Sequence, residues 1–110
     1  MKFILLLFFL IQYQLIVAQK VFSVQYENQA DVKVFVVDYP NQSDLKVYKV
    51  KYDNQVGRNE GLWFFTQYPN QANKNIYFVK YPNLADLKIY FVAYPNLAGW
   101  VNEKKKQLLY

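Results

Sequence analysis

The side chains able to do chemistry in this chain are few in kind. Its 110 residues include eight acids and thirteen Lys and Arg, but no histidine and no cysteine. That removes the imidazole base, the thiol nucleophile, the disulfide frame and the usual zinc ligands. Two carboxylates suffice for glycoside hydrolysis. Here, however, Asp31, Asp44 and Asp86 recur at one place in a repeat, and Asp38 stands alone on a strand. No calcium-loop spacing is present. The expectation is a non-enzyme with no catalytic residues, no metal and no cofactor. What remains is aromatic and amide surface: eleven tyrosines, nine phenylalanines and two tryptophans, with asparagine and glutamine between them. Rings flanked by amides suit stacking on sugars while hydrogen-bonding their hydroxyls, and Trp63 and Trp100 are the candidate stacking residues. The opposing expectation is that tyrosine fills core and rim of a tightly wound domain.

The formal charge of +5 is concentrated at the ends, in Lys2 and in Lys104, Lys105 and Lys106. The body is close to balanced, so the pI near 9.3 makes no case for nucleic acid. Lys2 precedes an apolar run from Phe3 to Ile11, and Ala18 precedes Gln19. This is the layout of a secretory signal peptide, 1–18, with cleavage expected after Ala18. Gln12 and Gln14 interrupt the run, leaving less than the ~20 clean apolar residues of a spanning helix. A retained anchor is the alternative. The expectations are a mature domain, 19–110, secreted or periplasmic, monomeric and with no stable membrane insertion after cleavage. Lys104 to Lys106 beside Leu108 could bind anionic lipid; the rival is a packed tail with Trp100 and Leu108 buried and the lysines solvated.

The positioning elements show as a repeat. Tyr26, Tyr39, Tyr52, Tyr68, Tyr81 and Tyr94 are spaced by 13, 13, 16, 13 and 13 residues. Each closes a seven-residue segment rich in Val, Ile, Phe and Tyr, starting at Lys20, Lys33, Lys46, Leu62, Asn75 and Lys88. That composition, bounded by turn residues, predicts six strands. Counting each segment from one to seven, positions 3, 5 and 7 vary least (Phe22, Val24 and Tyr26, for instance). They are predicted to be the shared core face, with the Tyr39, Tyr52, Tyr81 and Tyr94 set important to it. The other face is polar in the first and third units and apolar in the later ones, which should therefore lie deeper.

Proline follows four of the tyrosines and ends the strand. Asn28, Asn41, Asn54, Asn70, Asn83 and Asn96, two residues after each tyrosine, are predicted to nucleate one helical turn by folding their side chains onto nearby amides, with Asp31, Asp44 or Asp86 at its third position. Asn41 to Ser43 also matches a glycosylation triplet, a by-product of the turn. The stretch from Gln55 to Gly61, three residues longer than its counterparts, reads as a surface loop between two half-sets of units. Period and composition fit an antiparallel sandwich or small barrel. Cross-β stacking into a fibre is a further possibility, opposed by the prolines.

The repeated Lys-Val-Tyr/Phe-x-Val-x-Tyr-x-Asn-Gln/Leu-Ala-Asp unit, closed by Ala98 to Lys106, resembles the 7(1) septoil knot domain family of small bacterial proteins. The likeness runs from Lys20 to Tyr110. The third unit lacks the Ala-Asp pair, and Asn73 and Lys74 replace Asp-Leu. The resemblance implies an all-β repeat of about six short strands with one-turn helical connectors, a sheet sandwich tied as a seven-crossing torus knot. It implies no activity and no catalytic residues. A knotted chain should resist unfolding and proteolysis beyond its size. Taken together, the sequence points to a stable exported structural or interaction domain, with glycan or small-ligand binding as the alternative and a cell-surface or glycan partner in view.

Overall fold

A computed structural model describes residues 19–55 and 59–110; the signal-peptide reading falls on residues outside these. Seven strands form: β1 Lys20–Ser23, β2 Val32–Val36, β3 Leu45–Lys49, β4 Leu62–Phe65, β5 Lys74–Phe78, β6 Leu87–Phe91 and β7 Gly99–Trp100. One-turn 3-10 helices separate the first six and follow β6, and a longer one, Glu103–Leu109, ends the chain. The all-β repeat of six strand-and-turn units is therefore present. The pairing is parallel, not antiparallel, in the order β4-β1-β5-β2-β6-β3, and a β3–β4 pairing closes the ring into a barrel-like sheet.

A two-residue stagger explains how short connectors join parallel strands, which ordinarily need a dozen or more residues of crossover. Ser23 at the end of β1 and Val32 at the start of β2 both pair with Ile76, on opposite sides of β5. Likewise Val36 and Leu45 both pair with Ile89 of β6. The chain need not return to the far end of the barrel; it steps over one strand. The turn at Glu27–Gln29 accordingly packs on β5, Pro40–Gln42 on β6, Pro69–Gln71 on β1 and Pro82–Leu84 on β2. Strands of the first half of the chain (β1 to β3) alternate round the ring with those of the second (β4 to β6), and each half straps over the other. Hydrogen bonds from position 5 run Val24 to Ile76, Val79 to Val34, Val37 to Ile89, Val92 to Val47, Val50 to Trp63 and Thr66 to Val21, a cycle that closes on itself.

The barrel interior corrects the predicted core face. Position 2 faces inward: Val21, Val34, Val47, Trp63, Ile76 and Ile89, none more than 1% exposed. Val32, Leu45 and Leu87, two residues earlier, join the same cluster. The position 7 tyrosines lie outside, 59–65% exposed, and the position 3 rings are half-buried. At position 5, Val24, Val37, Val50 and Val79 are buried where the strand bends into its connector, outside the central cluster, and Val92 is half-buried. A position that recurs unchanged shows an equivalent environment in every unit, and burial is only one such environment. Position 2 carries apolar groups throughout save for one indole nitrogen, whereas positions 3 and 7 carry phenols whose hydroxyls need partners or water. The early units do not lie at an edge, because a closed ring leaves none among the six strands; the later units are deeper at position 4 alone, where Phe65, Phe78 and Phe91 are part-buried and Ser23, Val36 and Lys49 exposed.

The C-terminal segment closes the end where the strands begin. β7 pairs antiparallel with Leu45 and Lys46 of β3. Leu109 is fully buried in the core cluster. Its carbonyl accepts from the Gln19 side chain at 3.3 Å, and the Lys106 carbonyl accepts from Asn59 Nδ2 at 2.8 Å. Asn59 and Gly61, from the stretch read as a surface loop, are themselves buried. Gly61 has φ +89°, and a Cβ there would stand 2.3 Å from the Lys46 carbonyl oxygen, so only glycine fits. In the tail Leu108 is half-buried, Lys104 is exposed, and Lys105 is tied back to the Asp86 carbonyl at 2.8 Å.

Candidate functional site

The outward surface is built from the connectors. Tyr26, Tyr39, Tyr68, Tyr81 and Tyr94 sit in extended backbone, φ between −124° and −135°, immediately before a 3-10 turn. Proline at the next position in four of the six units fixes the first turn residue. Because the turn crosses the outside of an intervening strand, the ring before it is carried away from the barrel into solvent. Equivalent pairing of every strand with its neighbours places the six tyrosines at equivalent stations round the molecule.

Asn28, Asn41, Asn54, Asn70, Asn83 and Asn96 lie at the centre of the six turns and are exposed. The bonds that close these turns are backbone to backbone, as from Gln29 N to the Tyr26 carbonyl at 3.1 Å and Leu84 N to the Tyr81 carbonyl at 3.1 Å. The asparagine amides are turned to solvent instead of folding back onto the turn. In the third turn a glutamine does the folding back: Gln55 Oε1 accepts from Lys51 N at 3.0 Å and Tyr52 N at 2.9 Å.

The aspartates do not complete their own turns; they staple neighbouring strands. Asp31 Oδ2 accepts from Asn75 N at 2.8 Å while its own N–H donates to the Asn75 carbonyl. Asp44 makes the same reciprocal pair with Lys88 and Asp86 with Lys33. Asn73, the apparent departure from the repeat, does the same with Lys20 through its Oδ1 at 3.1 Å. A carboxylate or amide oxygen one residue before the strand thus extends the ladder by one step. Sequence reasoning placed these residues in the turn because the partner strand is 44 or 53 residues away.

The tryptophans are not stacking platforms. Trp63 is fully buried at position 2, edge-on to Phe65 with ring centroids 6.1 Å apart. Trp100 packs against the core and donates Nε1–H to the Asn59 carbonyl at 2.9 Å. Trp63 is a core residue, and Trp100 is part-buried against the core with its Nε1–H engaged.

A groove of about 550 Å³ opens beside the third and fourth turns. Lys20, Asp53, Phe64, Phe65, Gln67 and Gln71 are among the residues that line it. Asp53 and Gln71 belong to the turns that follow Tyr52 and Tyr68, and the groove combines two phenylalanine rings with amide, carboxylate and ammonium groups. Sequence reading missed the groove because its walls come from β1, β4 and two turns brought together by the ring. Among the described residues no cluster of three or more acids gathers that could hold a metal ion.

The family model of the 7(1) septoil knot domain matches residues 18–101. No curated protein and no solved structure matches the chain.

Proposed function

Because the chain belongs to the 7(1) septoil knot domain family, whose name specifies a topology and no reaction, we propose a role from its surface: an exported, non-enzymatic binding module for a carbohydrate chain. One observation carries this reading. The six repeat tyrosines are 59–65% exposed, so the alternative use of the aromatic excess, as core filling, does not account for them. Phenol faces take the apolar C–H surface of a sugar ring, and neighbouring asparagine and glutamine amides take its hydroxyls. The groove beside the turns that follow Tyr52 and Tyr68 offers both chemistries, rings from Phe64 and Phe65 and amides from Gln67 and Gln71. Six equivalent stations suit a repetitive partner, where avidity exceeds single-site affinity.

Export rests on the leader at 1–18, and the intact mass of the secreted protein tests it: cleavage after Ala18 leaves Gln19 as the first residue. The plaited path, in which each half of the chain straps over the other, supports the seven-crossing knot and the kinetic stability useful outside the cell. A glycan array with the mature domain tests binding. A hit that Tyr52→Ala with Tyr68→Ala weakens by about tenfold or more, with fold retained, supports the reading. No hit, or a hit indifferent to both changes, refutes it and leaves a purely structural role.

A further inference from the structure

Position 4 lines the barrel at the end where the strands finish, opposite the plugged base. Its six residues alternate in character round the ring: Ser23, Phe78, Val36, Phe91, Lys49 and Phe65. They share the inward face with position 2 by alternation. Phe65, Phe78 and Phe91 pack against the buried cluster while keeping part of their surface in solvent. Val36 is 40% exposed, and Ser23 and Lys49 are exposed. The mouth is therefore an open apolar cup with one charge in it.

That charge is held by ring faces, and among the described residues it makes no ion pair. Lys49 Nζ lies 4.4 Å from the Phe91 ring centroid and 5.3 Å from that of Phe65, the two rings on either side of it. Ring faces hold an ammonium electrostatically but do not neutralise it. Among the described residues the ion pairs are Lys33 with Glu27 and Lys105 with Asp44, and neither involves Lys49. On the other side of β4 from Lys49, position 4 of β1 is the exposed Ser23, a second donor. The remaining sector, Phe78, Val36 and Phe91, is apolar.

We infer that this mouth is a ligand site for an amphiphilic carboxylate, its head on Lys49 and Ser23 and its alkyl chain across Phe78, Val36 and Phe91. An ammonium fixed beside partly exposed apolar surface matches a monoanion with a short apolar tail. The cup is shallow, since Trp63 and the other position 2 residues fill the barrel directly beneath it. This excludes long-chain burial and selects medium chain lengths. The site shares Phe65 with the groove of the carbohydrate reading but uses none of the tyrosines, so the Tyr52 and Tyr68 variants leave it intact.

Octanoate is the probe, with octylammonium and octyl glucoside as comparisons, titrated calorimetrically and by amide chemical shifts of the full mature domain. The expected result is one octanoate per chain, with shifts confined to the strand-end residues. Lys49→Gln weakens it about tenfold or more, and Val36→Asp, which puts a carboxylate into the exposed cup, removes it. Failure of octanoate to bind at millimolar concentration overturns the inference, as does equal binding by Lys49→Gln. Tighter binding of octylammonium also overturns it and makes the three rings a cation cup. Octyl glucoside binding as well as octanoate reduces the mouth to a bare apolar patch and equally refutes the assignment.

Discussion

Replacing Asp44 by alanine removes more than one hydrogen bond. Its Oδ2 accepts from Lys88 N at 2.8 Å, and its Oδ1 takes the Asn102 side-chain amide at 3.3 Å. Lys105 Nζ stands 3.5 Å away, and the Asp44 side chain is only 13% exposed. Its backbone carbonyl receives both Val101 N and Asn102 N, so this residue clasps the C-terminal segment to the barrel. A charge-assisted bond to a part-buried amide is worth about 1.5–3 kcal/mol, and the ion pair adds under about 1 kcal/mol. The alanine variant should lose roughly 2–3 kcal/mol, a large part of a marginal stability of about 5–15 kcal/mol. With a urea slope near 1–1.5 kcal/mol/M for a domain this small, the midpoint should fall by about 2 M. Asparagine supplies the decisive control, because Asn73 performs the same stapling naturally through its Oδ1. Asp44→Asn should cost about 1 kcal/mol, chiefly the lost charge. Fluorescence-monitored urea unfolding measures all three proteins. An alanine variant within about 0.5 kcal/mol of the parent, or an asparagine variant as damaged as the alanine, would refute the assignment of the staple.

Ile76→Ala, at a fully buried place in the barrel, should cost about 2–5 kcal/mol, whereas Tyr81→Ala, outside it, should stay within about 0.5 kcal/mol by the same unfolding assay; the reverse order would restore the tyrosine core. Gly61→Ala, forced into positive φ and against the Lys46 carbonyl, should lose about 3 kcal/mol and loosen the β3–β4 closure, seen as faster amide exchange there. A degradation tag at either terminus should give slower breakdown by an ATP-driven unfoldase than an unknotted β-domain of equal size shows; equal rates would remove the topological barrier.

Much of the fold was legible in residue order, and specific residues show why the rest was not. The spacing of Tyr26, Tyr39 and their equivalents located the six strands of the ring and the turn after each, because strand composition and turn chemistry act within a few residues; it did not show β7 or the terminal 3-10 helix. The proline-asparagine connectors fell where expected, although backbone bonds close them and the asparagine amides face water. Inside and outside were exchanged. Val21 and Ile76 share a face only because β1 and β5 are neighbours, and nothing local records that pairing. A purely apolar position 2 set against hydroxyl-bearing positions 3 and 7 was the available signal, outweighed by the greater uniformity of the aromatic face. The aspartate staples were equally hidden, since Asp31 looks like the end of its own turn until Asn75 arrives beside it. Trp63 looked like a surface platform only while the barrel it fills was unknown, and Trp100 while the packing of β7 against that barrel was unknown.

The chain by itself determined the number of units, their β character, the turns between them and the absence of thiol and imidazole chemistry, all properties of short segments read one at a time. Only the tertiary structure decided that the strands run parallel, that the two halves interleave, and hence which side of each strand is dry, which tyrosines stand in water and that Lys49 sits between Phe65 and Phe91. Those choices follow from the two-residue stagger repeated round a closed ring. Stagger is a relation between strands far apart in the chain, fixed by the fit of all six at once.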